Sequence, residues 1–290
     1  MVDMDHFMFV FLQKLVNFTH NLCLAPLAVE AAIIENSKQY FSSKIIAHRG
    51  LCSHPSMTEN TLQAFELAWK VTPHIEFDLR MSSDGHLVIH HDQDLERLWG
   101  VSEKIADLNI AQVKNRFPDI PTLVELISNW QNYLYEMLPR VESIQFKPYW
   151  FIEIKSEDDP SRVDDILNSL KRVWSQVKDV CIPVFLSLDA EILRRIKGAF
   201  PNEARSFVYL VSKKQALNYI NEDPECGLMG WYFNYPKNRG FSGGHHGVGF
   251  LNHSSSLNVY QGRNQKAERP LWIFTDRPDR ILVKKGKPDS

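Results

Sequence analysis

From Lys44 onward, the chain alternates between short apolar runs and longer segments in which apolar residues recur every three or four positions. The short runs are rich in β-branched and aromatic residues, which favour buried strands. The longer segments have the spacing of helices that bury one face. This alternation is typical of parallel strands joined by crossover helices, so the pattern predicts an α/β fold.

The strand candidates number eight, which is the strand count of a TIM-type (β/α)8 barrel. They occupy residues 45–47, 75–79, 150–154, 184–187, 206–210, 231–233, 257–260 and 271–274. Helices are predicted at 60–69, from 121 onward, over 159–177 and over 189–200. The length of 290 residues suits such a barrel. Residues 234–256 are so rich in glycine and polar residues that we expect a long loop and an irregular barrel there.

Residues 1–43 precede the first predicted strand. Their longest apolar run, residues 7–12, is far shorter than the roughly 20 residues of a membrane span, so no transmembrane segment is expected. Small residues over 24–31 follow an apolar stretch, as in a signal peptide, but two aspartates make the start acidic where such peptides carry Lys or Arg. We therefore expect a helical segment over 1–43, one barrel domain over 44–290 and a cytoplasmic location, with export as the alternative.

Basic and acidic residues are nearly balanced, 33 against 35, so the net charge is −2. That balance argues against a nucleic-acid partner, which needs a basic surface to neutralise phosphates. The four cysteines form no C-x-x-C pair, so neither a zinc knuckle nor a dense disulfide framework is expected.

Charged residues stand inside two of the predicted parallel strands. Such strands are buried on both faces, where an unpaired carboxylate costs several kcal/mol. Glu76 and Asp78 are two residues apart and share one face of their strand, as do Glu153 and Lys155. For a single residue, the alternative is a salt bridge at a strand end. If the faces meet at the mouth of a barrel, three carboxylates converge and predict a site for one divalent cation, Mg²⁺ or Ca²⁺.

Two histidines are predicted at the same end of the barrel. The first strand ends in His48, Arg49 and Gly50, at the end where a barrel keeps its chemistry. A turn at 83–85 returns the chain as a hairpin that leads to His91. The planar fork of arginine can bind two phosphate oxygens, and two imidazoles can supply a general base and a general acid. These residues therefore suit acid–base chemistry on a metal-bound phosphodiester.

Eight motifs occur together in the order and spacing of a known family. They are His48-Arg49-Gly50, Glu59-Asn60-Thr61, Glu76-Phe77-Asp78, Asp84-Gly85 leading to His91-Asp92, Leu95 with Arg97, Ile120-Pro121-Thr122-Leu123, Glu153-Ile154-Lys155 and Thr275-Asp276-Arg277-Pro278. In this combination the chain resembles the glycerophosphodiester phosphodiesterases of the phospholipase-C-like phosphodiesterase superfamily. The resemblance covers all but the N-terminal segment and the tail.

The resemblance implies a TIM-type barrel that hydrolyses small glycerophosphodiesters to sn-glycerol 3-phosphate and an alcohol, with one divalent cation, in lipid and glycerol metabolism. The implied roles are acid–base catalysis for His48 and His91, metal binding for Glu76, Asp78 and Glu153, and phosphate binding for Arg49 and Lys155. The sequence leaves open which histidine is the acid. It also leaves open whether water or the neighbouring glycerol hydroxyl, through a cyclic phosphate, attacks the phosphorus.

The pocket for the alcohol departs from the family pattern. The family's seventh strand typically contains Trp-Thr-Val-Asn, whereas the matching stretch here contains Tyr-Gln-Gly-Arg-Asn. Because that strand helps to shape the substrate pocket in the family, Tyr260 and Asn264 are pocket candidates. Trp231 is a third candidate, as an aromatic face for a choline headgroup, with ordinary packing as the alternative.

Other hypotheses remain open. The same scaffold could act on lysophospholipids in a lysophospholipase D-like or phospholipase C-like reaction, with the apolar residues 7–12 as a rim for the acyl chain. It could also be a non-catalytic phosphodiester-binding barrel, although a binding protein has no physical reason to hold so many charges at one rim. A second metal site at His245, His246 and His253 is disfavoured because their spacing fits no ligand scheme.

Overall fold

The computed structural model describes residues 43–52, 57–137, 147–157, 159–209, 214–231, 245–249 and 272–278. All of the predicted N-terminal segment except Ser43 lies outside the described residues. The pocket candidates Tyr260 and Asn264 also lie outside them, as does His253.

The described strands form a closed barrel. In chain order they are β1 (Ile45–His48), β2 (Ile75–Met81), β3 (Leu87–Ile89), β4 (Asp94–Leu95), β5 (Val101–Lys104), β6 (Tyr149–Ile154), β7 (Ile182–Ser187), β8 (Ala204–Tyr209), β9 (Gly227–Trp231), β10 (Gly247–Gly249) and β11 (Trp272–Thr275). Eight of these described strands, β1, β2 and β6 to β11, are parallel, and β1 closes the barrel by pairing with both β2 and β11. β3 lies antiparallel to β2 as the predicted hairpin, and β4 pairs separately with β5. The predicted TIM-type barrel is confirmed.

Helices connect the strands. Those in the described ranges are α1 (Leu62–Trp69), α2 (Glu96–Trp99), α3 (Ile110–Arg116), α4 (Leu123–Met137), α5 (Ser161–Val180), α6 (Ala190–Ala199) and α7 (Lys214–Glu222). The four predicted helices correspond to α1, α4, α5 and α6. The Thr61 hydroxyl caps α1 and the Asp189 carboxylate caps α6, each by accepting a backbone N–H of the first turn. None of these described helices combines the length and the apolar composition needed to cross a membrane.

Apolar side chains pack on both faces of the barrel strands. On the helix side, Trp130 lies between Trp69 and Trp150, with ring centroids 4.9 Å and 6.5 Å away. A smaller cluster, which includes Phe151 and Phe274, fills the barrel interior. Side chains alternate along β6, so Glu153 shares the inner face of Phe151. The Glu153 carboxylate therefore lies on the inner face of the barrel, next to this apolar cluster.

Two predictions near the end of the barrel are wrong in position. The strand predicted at 231–233 begins earlier, at Gly227. β10 lies within the stretch 234–256 that was predicted as a long loop, and it pairs with both β9 and β11. The strand predicted at 257–260 lies outside the described residues. A Cβ on Gly230 would lie 2.2 Å from the Tyr209 ring, and one on Gly247 would lie 2.6 Å from Met229 Sδ. Close packing therefore requires glycine in these strands, whereas glycine in a sequence usually indicates a turn.

Candidate active site

Three buried carboxylates meet toward the carboxyl ends of β2 and β6. Glu76 and Asp78 lie on one face of β2, and Asp78 is in register with Glu153 of β6. One carboxylate oxygen from each of the three lies within 4.8 Å of the other two. All three residues are buried. The structure therefore brings together the three residues predicted to bind the metal ion.

The carboxylates differ in their electrostatic surroundings. Burial, together with the two neighbouring carboxylates, raises the pKa of Glu76 to about 8. Burial also acts to raise the pKa of Asp78, but Lys155 and Arg49 outweigh it and hold that pKa well below its usual value. Lys155 Nζ lies 2.8 Å from Asp78 Oδ1, and Arg49 Nε lies 3.1 Å from Asp78 Oδ2. Asp78 is therefore ionised at neutral pH. Glu76 is mostly protonated at pH 7 unless a metal cation binds beside it.

A divalent cation fits this cluster. Glu76 Oε1 is buried, and no hydrogen-bond donor in the described part of the chain reaches it. A buried, unpaired carboxylate oxygen carries a desolvation cost that a bound cation would offset. Carboxylate oxygens are also the ligands that Mg²⁺ and Ca²⁺ prefer. Glu76, Asp78 and Glu153 could therefore hold one such ion.

His48 stands at the end of β1, beside the carboxylates. Its Nδ1 contacts Asp276 Oδ1 at 2.7 Å, and its Nε2 lies 3.8 Å from Glu76 Oε2. The pairing of β1 with β11 brings Asp276 to this place, although the two residues are 228 positions apart. Burial and the charge of Arg49 lower the pKa of His48, but Glu76 and the hydrogen bond to Asp276 outweigh them and raise it.

His91 follows the β2–β3 hairpin and belongs to a second histidine–aspartate pair. Its Nδ1 lies 2.7 Å from Asp92 Oδ1. Burial lowers the pKa of His91 to about 3, and the positive charges of Arg49 and Lys155 contribute to the decrease. The preceding His90 is also buried, and its Nδ1 donates to the Asp92 carbonyl oxygen (2.9 Å).

The two residues predicted to bind phosphate lie against the carboxylates. Arg49 and Gly50 both have positive φ, 55° and 85°, so the chain turns sharply after β1. The Arg49 backbone N–H donates to the Glu76 carbonyl oxygen (3.0 Å), which fixes this turn against β2. Lys155 follows β6 and contacts both Glu153 and Asp78. Both cationic side chains are therefore within the site.

Several contacts join the site residues to side chains for which the sequence predicts no role. Glu59, Asp92, Arg97 and Asp276 belong to the matched motifs, which is the signal that could have found them. Glu59 and Asp92 both bond to Arg97. Arg80 belongs to none of the motifs, and donates to the His91 carbonyl oxygen through Nε (3.0 Å) and Nη2 (2.7 Å). It continues the alternation of charged residues along β2, two positions after Asp78.

The other candidates within the described ranges lie on β9 or directly before β10. Trp231 ends β9 and pairs in register with Gly249 of β10. His245 Nδ1 accepts a hydrogen bond from Trp272 Nε1 (3.2 Å), and His246 Nδ1 accepts one from the Leu228 backbone N–H (3.2 Å). Burial lowers the pKa of His245 to about 4. These two histidines therefore bond to the strands around them.

The fold and the site together define an α/β-barrel protein with a candidate metal and phosphate site at the carboxyl ends of its strands. Residues 48–232, more than half of the chain, match the model of the glycerophosphoryl diester phosphodiesterase family. The chain belongs to this family.

Solved structures share the fold of this chain. A glycerophosphodiester phosphodiesterase from Thermotoga maritima has a TM-score of 0.59 at 24% identity, over 83% of this chain and 96% of that one. A phosphodiesterase from Oleispira antarctica, solved in complex with sn-glycerol-3-phosphate, has a TM-score of 0.65 at 21% identity, over 83% and 96%. These likenesses concern the fold.

Two curated relatives match over shorter stretches. A lysophospholipase D from Homo sapiens is 38% identical over 80 residues, 27% of this chain and 25% of that protein. A glycerophosphodiester phosphodiesterase from Caldanaerobacter subterraneus is 34% identical over 71 residues, 24% of this chain and 28% of that protein. The matches thus span about a quarter of the length of these relatives.

Proposed function

We propose that the protein is a metal-dependent phosphodiesterase that hydrolyses small glycerophosphodiesters to sn-glycerol 3-phosphate and an alcohol. The observation that carries this proposal is the meeting of three buried carboxylates with two histidines, each paired with an aspartate, at one end of the barrel. Membership of the family supports it. The product bound to the similar Oleispira antarctica structure supports the substrate class.

The substrate is an anion, so its hydrolysis requires that charge on the phosphate oxygens be neutralised. Arg49 and Lys155 are cationic and both border Asp78. We expect the Arg49 guanidinium to bind two phosphate oxygens and the Lys155 ammonium to contact one. A divalent cation held by the three carboxylates would supply further neutralisation of the phosphate charge.

His48 and His91 are the groups that would move protons. Asp276 accepts a hydrogen bond from His48 Nδ1 and Asp92 accepts one from His91 Nδ1, so each aspartate orients a ring and fixes its tautomer. Proton exchange with the substrate would then run through Nε2. One imidazole takes a proton from the attacking group, which is either water or the neighbouring glycerol hydroxyl, and the other protonates the leaving alcohol oxygen.

The direct test is release of glycerol 3-phosphate from glycerophosphocholine by the purified protein, with Mg²⁺, with Ca²⁺ and with a chelator. We expect cation-dependent release and a loss in kcat of about a hundredfold or more for His48→Asn and for Glu76→Gln. His86→Asn is the matched control because His86 is exposed on the β2–β3 turn, and it should keep wild-type activity. Phosphorus NMR during the reaction would detect a cyclic phosphate if the glycerol hydroxyl attacks. A folded protein that releases no product with either cation would contradict the proposal.

Lysophospholipids are the second candidate substrates, because one relative is a lysophospholipase D with 38% identity over 80 residues. With lysophosphatidylcholine, release of choline would indicate the D-type reaction and release of phosphocholine the C-type reaction. Binding of either substrate without any product would favour the phosphodiester-binding barrel.

The domain organisation and the location are part of the proposal. Residues 44–290 would form the barrel domain, with the helical segment over 1–43 ahead of it. The family match over 48–232 lies inside the proposed domain and supports it. A cytoplasmic location would supply the product to lipid and glycerol metabolism. Cell fractionation with mass spectrometry of the N-terminus checks this, since an exported and cleaved chain would contradict it.

A further inference from the structure

Arg97 connects two carboxylates that come from different loops. Arg97 Nε donates to Asp92 Oδ2 at 2.6 Å. Its two Nη atoms donate to Glu59, at 2.6 Å to Oε1 and at 3.2 Å to Oε2. All three nitrogens of one guanidinium therefore bind two carboxylates.

Each of these carboxylates also holds a residue of the proposed site. Asp92 contacts His91 Nδ1 through its other oxygen, Oδ1, at 2.7 Å. Glu59 Oε1 accepts a hydrogen bond from Arg49 Nη1 at 2.9 Å. A continuous series of charged contacts thus runs from the histidine to the arginine that we expect to bind phosphate.

The charges in this series are matched. Burial acts to raise the pKa of Glu59, but Arg49 and Arg97 outweigh it and lower that pKa to about 2. The Arg97 side chain is 36% exposed, whereas that of Glu59 is only 16% exposed. Removing Arg97 would leave the mostly buried Glu59 carboxylate with one cation instead of two, so that Glu59 and its remaining partner Arg49 could move.

The backbone that carries Arg97 is anchored to the barrel. Arg97 lies on the single-turn helix α2, which follows the buried Leu95 and is capped at its C-terminus by Gly100, where φ is 72°. Leu95 packs in a cluster with Val88 of β3 and with Ile105. The guanidinium is therefore carried by an element that is anchored to the barrel.

We propose that Arg97 is a positioning residue that orients His91 through Asp92 and Arg49 through Glu59. The kinetic consequences of this proposal rest on the proposed function. An arginine is required because three N–H donors in one plane match two carboxylates, whereas a lysine ammonium acts as a single point charge.

Kinetics on glycerophosphocholine separate the effect of Arg97 on His91, through Asp92, from its effect on Arg49, through Glu59. Asp92→Asn should lower kcat with little change in KM, since it acts through His91. Glu59→Gln should mainly raise KM, since it acts through Arg49. Arg97→Gln should do both, with a loss in kcat of about tenfold to a hundredfold. The double variant Arg97→Gln/Asp92→Asn should lose little more kcat than Asp92→Asn alone, because both changes act through one histidine.

Arg116→Gln is the matched control. Arg116 is an arginine of similar exposure on α3, and its Nη1 donates to Glu103 Oε1 at 2.9 Å, away from the histidines. Its removal should leave kcat and KM at wild-type values. Arg97→Lys keeps the charge and should recover only part of the lost kcat.

A second readout needs no turnover. Two-bond proton–nitrogen correlation spectra of protein with ¹⁵N-labelled histidine report which ring nitrogen of His91 carries the proton, once His91→Asn has assigned the signals. We expect the proton on Nδ1 in the wild type and in Arg116→Gln, and a mixture of tautomers in Arg97→Gln. If the wild type hydrolyses no substrate, the proposed function fails, while these spectra still test the role of Arg97.

The proposal is overturned if folded Arg97→Gln has the kcat, the KM and the His91 spectrum of the wild type. It is also overturned if the losses of Arg97→Gln and Asp92→Asn are fully additive in kcat. If Arg97→Gln does not fold, the same measurements are made on Arg97→Lys. A reduced kcat with altered His91 signals then supports the proposal, and a wild-type kcat with wild-type His91 signals overturns it.

Discussion

Glu76 couples cation binding to pH. Its pKa of about 8 results from burial and from the neighbouring carboxylates, so it is mostly protonated at pH 7. A divalent cation binds the ionised carboxylate and must displace that proton. Below the pKa of Glu76, we therefore expect the affinity for Mg²⁺ or Ca²⁺ to rise about tenfold for each pH unit.

Calorimetric titrations in two buffers with different ionisation enthalpies measure both the affinity and the number of protons released. Glu76→Gln should bind the cation more weakly and release no proton. Glu103→Gln alters an exposed carboxylate on β5 and should match the wild type. Cation binding by the wild type without proton release at pH 7 would contradict this account of Glu76.

The same pKa predicts the opposite pH trend for the protein without a cation. The pKa of Glu76 is raised on folding from about 4.5 to about 8, so its protonation favours the folded state at low pH. This contribution is lost as the pH rises through that window. We expect the thermal midpoint of chelator-treated protein to fall over this range, and the fall to be smaller in Glu76→Gln.

For single residues, the sequence predicts those positions that follow from the alternation of side chains along a strand and from the pairing of neighbouring strands. Alternation along a strand places Glu76 and Asp78 on one face, and parallel pairing of neighbouring strands brings in Glu153. The contact between His48 and Asp276 joins residues 228 positions apart and depends on the closure of the barrel. No spacing rule predicts such a contact, so the aspartate is known only as part of a motif until the structure shows its partner.

Among the connecting elements, the turn after β1 determines where Arg49 lies. Gly50 has a φ of 85°, and a Cβ there would lie 2.7 Å from the Ala64 carbonyl carbon of α1. Gly50→Ala would therefore strain the backbone and push the turn away from α1. We expect a loss of about 1–3 kcal/mol in the free energy of unfolding, together with a higher KM because Arg49 moves.

Urea denaturation and substrate kinetics check this expectation. Gly198→Ala is the matched control because Gly198 lies in helix α6, and in the described part of the chain no atom beyond its own stretch of helix lies within 4 Å of a Cβ built there. This change should stabilise the protein by about 0.5–1 kcal/mol, since alanine favours helices more than glycine does. A Gly50→Ala protein with the wild-type midpoint and KM would show that the turn tolerates a side chain.

Whether an element is predictable depends on how much its sequence resembles that of an average strand or helix. β6 is apolar except for Glu153, and β7 is apolar except for its last residue, Ser187; such runs are typical of strands buried on both faces, and both strands are predicted within two residues of their observed bounds. β10 consists of Gly-Val-Gly, and a Cβ on Gly247 would lie 2.6 Å from Met229 Sδ of β9 and 3.0 Å from the Trp272 carbonyl oxygen of β11. This preference for glycine arises from the neighbouring strands, so the residues of β10 alone favour a loop.

For the whole molecule, the stability of the barrel depends on how the charges inside its mouth are balanced. Lys155 is a counter-ion of this region, because it directly follows β6 and its ammonium contacts Asp78 of β2 and also Glu153 of β6. Its burial acts to lower its pKa, but the two carboxylates outweigh this and raise it, so the lysine is charged. Lys155 therefore links two adjacent strands at the point where the carboxylates would otherwise repel each other.

Lys155→Met should destabilise the protein in the presence of a chelator. Removing one partner of a buried ion pair costs about 3–5 kcal/mol, and Arg49, which still pairs with Asp78, should keep the loss near the lower end. A divalent cation should stabilise this variant more than it stabilises the wild type, because the cation no longer shares the carboxylates with the ammonium. Turnover should remain low even with the cation, since the lysine is also expected to bind the phosphate.

Thermal unfolding with chelator and with Mg²⁺ or Ca²⁺ measures both effects. Lys178→Met removes an exposed lysine that pairs with Glu203, and should behave as the wild type in each condition. If Lys155→Met has the wild-type midpoint in chelator and the wild-type response to the cation, the lysine is not a counter-ion of the carboxylates. A lower midpoint that no cation restores would mean instead that Lys155 stabilises the barrel independently of the proposed metal ion.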